Sequence, residues 1–402
     1  MKSIILNNGV KLIYKKTESS LTSFCIGFNA GADKENNDSI GVAHAVEHMV
    51  FKGTDSRSEE EINKKCDELF AFNNAMTNFP YVIYYGVCSN EDFEEGFELY
   101  SDIVINPKMN FAFEEEMRVI MTESREWKED IDQYCEDELY SNAFNSRRMK
   151  KIIIGDKEDI EKITQESLIK FYNKYYVGSN CTVSVVTSLD FDDVKKISER
   201  TIGIMKRGNQ EEYEYNYELG NSQCFNKSIE GFTGAKIQYC FDISDLNDDE
   251  IEAMRIFNAY FGEGVSCVLY DNLRTKHGYV YDVSSEVKNE SGIKLFTIKA
   301  STSKDKINDV KALIDNIIKD VQCGNISINN NDIKNLYKRI IRKRNMDVER
   351  GIIMAVRLTT YNIMYGDEQK LVDELDGRYN IISDINDVVR HVFRKSAVQI
   401  IR

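Results

Sequence analysis

A repeated order of elements is the strongest constraint on what this chain can fold into. Apolar and alternating runs predict strands at Ile4 to Leu6 and Lys11 to Tyr14, around the turn signal Asn8-Gly9, and then at Leu21 to Phe28. The polar stretch Gly31 to Ser39 leads to a helix expected over Ile40 to Phe51. The capping-box signature Ser58 to Glu61 starts a second helix that runs through Phe70. Strands at Asn74 to Thr77 and Tyr81 to Cys88 follow. Next come helices at Glu91 to Val104, Phe111 to Asp130 and Gln165 to Tyr175, a strand at Cys181 to Thr187, and a helix at Asp192 to Met205. The order then recurs. A strand (Lys236 to Ile243) and a helix (Asp248 to Phe261) precede strands at Tyr279 to Val287 and Lys294 to Ser301. Helices at Lys304 to Val321 and over Asn331 to Tyr365 lead to a last strand, Ala397 to Ile401. Two related α+β domains are expected, 1–206 and 227–402, each an antiparallel sheet with helices packed on one face. The polar stretch 207–226 is the expected linker.

Composition narrows the function. With 52 Lys and Arg against 67 Asp and Glu, the net charge is −15, which disfavours nucleic acid and anionic membranes as partners and favours basic peptides. No window reaches about 18 apolar residues, and the N-terminus has neither an apolar core segment nor a small-residue cleavage site. The nine cysteines are scattered, odd in number and without CxxC, as expected of reduced thiols. A cytoplasmic, unprocessed protein is expected.

Two of the four histidines fall in His44-Ala-Val-Glu47-His48, on the expected helix Ile40 to Phe51. Positions i and i+4 share a helix face, so both imidazoles can reach one ion. Glu47 sits at the edge of that face, where it can contact a metal-bound water without ligating the metal. A catalytic zinc site takes three protein ligands and one open position. The acidic run Phe113 to Glu126 is the best source of the third, because Glu116 and Glu123 lie two turns apart on a face that includes Val119 and Ile120. Glu126 is a fallback ligand. His277 and His391 have no such partners and are expected to be structural.

HAVEHMVFKGT, His44 to Thr54, resembles the inverted zinc motif of the pitrilysin/insulinase (M16) family of metallopeptidases. The family places a Glu ligand some 75 residues downstream, which matches Glu123, and a further functional glutamate seven residues earlier, which matches Glu116. The resemblance extends to the opening LNNGVKLIY, to the edge-strand motif Asn74-Ala75-Met76-Thr77, and to Asp156 to Asn180 before the fourth strand. In the second half, Leu273 to Tyr281 is similar to the family's LRExxGxxY segment. The chain departs from the family pattern at Phe70 to Asn73, where glycines are usual, and at Pro80, where a Glu is common. The second half carries no HxxEH and reads as a repeat copy without metal.

The resemblance implies Zn²⁺ held by His44, His48 and Glu123. It implies Glu47 as general base, grouped among the catalytic residues with Glu116, which would orient a ligand or tune the ion. It implies substrate contacts at Asn74 and Ala75 on an edge strand, and at Arg274 and Tyr281. The implied activity is zinc-dependent endopeptidase cleavage of peptides or unfolded segments. Members enclose substrate between two half-shells, so this chain is expected to pair with a second copy or a related subunit. A structural, non-catalytic subunit and a leader-peptide processing protease with a partner subunit are the alternatives.

Overall fold

The computed structural model describes residues 1–145, 148–209, 215, 217, 220–376 and 384–402. The first turn forms around Gly9, whose φ of 94° lies in the region an L side chain resists, and Gly9 N donates to Leu6 O at 2.9 Å. It joins β1 (Lys2–Ile5) to β2 (Lys11–Lys16). There follow β3 (Leu21–Phe28), α1 (Val42–Val50), α2 (Glu59–Leu69), β4 (Phe70–Thr77), β5 (Val82–Ser89) and α3 (Phe93–Ile105). Helices α4 (Phe113–Glu126), α5 (Ile131–Ala143), α6 (Lys157–Ile160) and α7 (Gln165–Tyr175) lead to β6 (Cys181–Thr187) and α8 (Phe191–Arg200). The second half contains β7 (Cys224–Lys227), β8 (Gly234–Asp242), α9 (Asp248–Phe261), α10 (Val268–Tyr270), β9 (Asp282–Glu290) and β10 (Ile293–Ser303). It ends with α11 (Ile307–Gln322), α12 (Asn330–Val348), α13 (Gly351–Tyr365), α14 (Gln369–Asp376), α15 (Ile385–Val392) and β11 (Ala397–Ile401).

The class is α+β with two sheets, ordered β1-β2-β6-β3-β5-β4 and β7-β11-β8-β10-β9. The repeat is visible in the pairing. β6, β3, β5 and β4 follow one another in the first sheet as β11, β8, β10 and β9 do in the second. The sheets are not wholly antiparallel: β2 runs parallel to β6, and β7 runs parallel to β11.

Two compact units result, and they are not contiguous halves of the chain. One comprises Met1–Arg125, Ile152–Glu214 and Asn345–Val372; the other comprises Glu126–Lys151, Tyr215–Arg344 and Asp373–Arg402. The first unit takes α13 from the second half, and the second unit takes α5 from the first. The division at 206 and 227 expected from sequence lacks this exchange, and of the expected linker, 210–214, 216 and 218–219 lie outside the described residues. The exchange also changes the layering. Phe24 packs on Phe97 and Tyr100 of α3, whereas a Cβ built at Gly27 would meet Thr359 and Ile363 of α13, so β3 is covered on both faces rather than one. In the second unit, α5 lies on β8 and β11, and Gln238 of β8 donates to Glu136 of α5 at 2.8 Å.

The helix expected over Phe111 to Asp130 ends at Glu126, and Asp130 caps α5 by accepting from Asp132 N and Gln133 N. β4 begins four residues earlier than expected. Its first residue, Phe70, packs against Phe24 and Tyr100 with ring centroids 5.9 and 5.2 Å apart. A register shift between Phe70 and Phe72 then turns Phe72 outward, where it is exposed. Each fully buried aromatic here contributes about 2–3 kcal/mol of burial free energy. The cluster fixes β4 at the sheet edge, beside α1.

Candidate metal centre

Helix α1 carries the histidine pair, and its start is fixed from outside. Gly41 precedes it at φ 90°, and a Cβ there would lie 2.2 Å from Ile154 O, so only glycine fits. The Glu35 carboxylate accepts from Gly41 N at 3.0 Å and Ala43 N at 2.8 Å, satisfying free amides and placing negative charge at the positive helix end. His44 is buried and His48 partly so, one turn apart, with ring centroids separated by 4.5 Å.

Glu123 of α4 meets both rings. His48 Nε2 lies 3.4 Å from Glu123 Oε2, and His44 Nε2 lies 3.7 Å from Glu123 Oε1. The ligand atoms of the three residues all fall within 4.8 Å of one another, the one such His/Cys/Asp/Glu group among the described residues. Two donors on one tetrahedral zinc, each at about 2.0–2.1 Å, sit about 3.3 Å apart. The observed spacings suit an ion better than direct hydrogen bonds. His44 Nδ1 is buried without a hydrogen-bond partner, so no bond within the fold claims the ring, and its Nε2 is the atom that faces Glu123. Two imidazoles and a carboxylate are also the donor chemistry zinc takes. The residues present fit the metal.

Behind this group, Glu116 is buried and accepts from His48 Nδ1 at 2.7 Å through Oε1, while its Oε2 pairs with Lys52 Nζ at 2.6 Å. With Nδ1 bonded to a carboxylate, Nε2 of His48 is left to face outward. Burial holds the His44 imidazole neutral, its pKa pushed down to about 4. Burial alone would lower His48 too, but the Glu116 and Glu123 carboxylates push it up to about 9. Glu116 is not itself a member of the converging group. Of the apolar neighbours expected beside it on α4, Ile120 is buried and Val119 is exposed. Glu126 is exposed and outside the group.

Glu47 is partly buried, and desolvation raises its pKa; against that, the Thr77 hydroxyl donates to Glu47 Oε2. Thr77 closes β4, so the acid beside the metal group is tied to the edge strand. On that strand Asn74 is exposed and Ala75 half-buried, and the Asn74 carboxamide accepts from Ala75 N at 2.9 Å. Arg274 and Tyr281 belong to the other unit. There the Arg274 guanidinium donates to the carbonyls of Val280 at 2.8 Å and Tyr281 at 2.6 Å, and the Tyr281 side chain is exposed. His277 bonds Asn272 O and His391 bonds Asp245, each at 2.7 Å.

The residues that sequence reasoning left without a role are Glu35, Lys52 and Thr77. Lys52 stands four after His48 in the quoted motif, and Thr77 ends the quoted edge-strand motif. Those positions were the available signal, but the partners that tie them to the site, Glu116 for Lys52 and Glu47 for Thr77, lie far along the chain. In the second unit, α9 holds the place in element order that α1 holds in the first. It carries no histidine. Its buried Glu252 is closed instead by Arg255 at 3.1 Å and Arg344 of α12 at 3.4 Å, and Arg255 reaches Glu374 at 2.8 Å. An ion-pair network therefore occupies the α9–α12 contact, and none of its members is an imidazole.

Two sheets built on one repeat, with a histidine pair on one of the two equivalent helices, make an α+β protein with a candidate zinc centre. Comparison with known proteins agrees. Residues 11–157 match the model of insulinase (peptidase family M16), and residues 162–327 match that of the peptidase M16 inactive domain. The chain belongs to the M16 family. A protein of Rickettsia felis named an uncharacterized zinc protease is 29% identical over 286 residues, covering 69% of this chain and 67% of that one. The mitochondrial-processing peptidase subunit beta of Caenorhabditis elegans is 27% identical over 204 residues, which is 50% of this chain and 44% of that protein. Among solved structures, a protease from Helicobacter pylori superposes with a TM-score of 0.89 at 18% identity, covering 100% of this chain and 99% of that one. No helix among the described residues is long and apolar enough to cross a membrane.

Proposed function

We propose that this chain is a zinc-dependent metalloendopeptidase that cleaves peptides or unfolded segments. The observation that carries this reading is the convergence of His44 Nε2, His48 Nε2 and a Glu123 oxygen, with Glu47 adjoining on the same helix. When bound, zinc supplies a Lewis acid that lowers the pKa of a coordinated water and polarises the scissile carbonyl. Glu47 takes the proton of the attacking water as general base and returns it to the leaving nitrogen. Thr77 holds one oxygen of that carboxylate, which orients the other for proton transfer. Glu116 acts from behind, fixing the tautomer and direction of the His48 ring.

The substrate adds to the edge of β4 as a further strand, with Asn74 and Ala75 as main-chain and carboxamide contacts. That mode selects extended, unfolded peptides over particular side chains, and the net charge of −15 favours basic ones. Arg274 and Tyr281 complete the site from a second chain, the same or a related one. A relative named as a subunit of a processing peptidase supports assembly with a partner. Incubation of purified protein with a peptide mixture, read by mass spectrometry with and without a chelator, tests the proposal. Chelator-sensitive new termini are expected; a zinc-loaded protein that leaves the mixture intact would overturn it.

A further inference from the structure

We infer that Lys52 is a positioning residue for the metal centre, acting through Glu116 on His48; this rests on the zinc reading above. Lys52 stands two residues past the end of α1, and its side chain is partly buried, with 18% of it exposed. It lies between two carboxylates, Glu116 Oε2 at 2.6 Å and Glu59 Oε1 at 2.8 Å. Glu59 opens α2, a helix held by a complete capping box in which Ser58 Oγ accepts from Glu61 N and Glu61 accepts from Ser58 N. Lys52 therefore joins the end of α1, the start of α2 and the first turn of α4.

Glu116 has two oxygens and two partners. Oε1 accepts from His48 Nδ1, and Oε2 takes the Lys52 ammonium. No other lysine or arginine pairs with Glu116 among the described residues. A buried carboxylate needs its acceptor sites filled, and the cost of an empty one is relieved by rotation toward any available donor. The Lys52 contact removes that freedom. It pins the carboxylate plane by one oxygen so that the other lies at hydrogen-bond distance from the His48 ring. Lys52 carries its positive charge close to where a cation would bind, but two carboxylates neutralise it, so its orienting effect outweighs its repulsion. Partners one step behind a metal ligand set its direction and are commonly worth about 10–100-fold in metal affinity.

The test is zinc affinity by competition with a chromophoric chelator, which needs no substrate. Lys52→Met should weaken zinc binding about 10–100-fold, and Lys52→Arg, which keeps a charged donor, should stay within a few-fold of wild type. Because the effect runs through Glu116, it should be non-additive: in a Glu116→Gln background, Lys52→Met should cost less than threefold. Lys52→Gln replaces Lys52→Met if the latter does not fold. Unchanged or tighter zinc binding by folded Lys52→Met or Lys52→Gln would overturn the inference, as would full additivity with Glu116→Gln. A wild-type protein that takes up no zinc would fail at the first measurement and overturn the metal reading along with this one.

Discussion

The Thr77 hydroxyl donates to the Glu47 carboxylate, joining the last residue of edge strand β4 to the acid that adjoins the two histidines on α1. One hydrogen bond thus links the strand on which substrate would lie to the group that would move the proton. Thr77→Val keeps the shape and removes the donor. It should lower kcat about tenfold or more, the worth of a hydrogen bond to a charged group, with zinc content unchanged. Thr77→Ser should recover most of the loss. Steady-state kinetics on one peptide separates the two variants.

The metal should be stoichiometric and removable. One zinc per chain is expected in purified protein, and dialysis against chelator should abolish hydrolysis, with recovery on adding zinc. His48→Ala should lose the metal, whereas Glu126→Gln should retain it, since Glu126 is exposed and outside the converging group. Elemental analysis of the variants decides this.

Glu136 anchors α5 in the second unit. Burial would raise its pKa, but the Lys288 and Lys299 ammonium groups and the Gln238 amide reverse that and hold it at about 2. A carboxyl with a lowered folded-state pKa adds stability above its ordinary value near 4.5 and loses it as the pH falls through about 2. Glu136→Gln should therefore cost about 3 kcal/mol near neutral pH, and the deficit should shrink as pH falls from 4.5 toward 2. Thermal melts of both proteins across that range measure it.

That helix also marks the limit of what the sequence discloses. The histidine pair was legible because i, i+4 spacing is a local rule, and the bounds of α9 and β11 follow from apolar runs and a capping residue beside them. α5 was not. Its buried face, Cys135, Glu136, Leu139, Tyr140 and Ala143, contains a glutamate whose partners lie more than 100 residues away. No local pattern reveals that a helix packs on strands from the other half of the chain. The same holds for Lys52 and Thr77, whose types and positions were plain but whose partners, Glu116 and Glu47, are set by the fold.

A site shared between chains makes a distinct expectation. If zinc from one chain meets Arg274 and Tyr281 of another, then Glu47→Gln and Arg274→Ala, each impaired alone, should complement when co-expressed. About half of randomly paired dimers are mixed, and each holds one site free of both defects, so roughly a quarter of wild-type activity should return. Mixed dimers without recovery would place the site within one chain.

On the proposed function, Glu47 moves the proton at a zinc centre that it does not ligate. Glu47→Gln is the direct test, with zinc content and peptide hydrolysis measured on the same preparation. The expected result is about one zinc per chain, an unchanged melting temperature, and hydrolysis reduced by about two to four orders of magnitude. Turnover near wild type with zinc bound would contradict it.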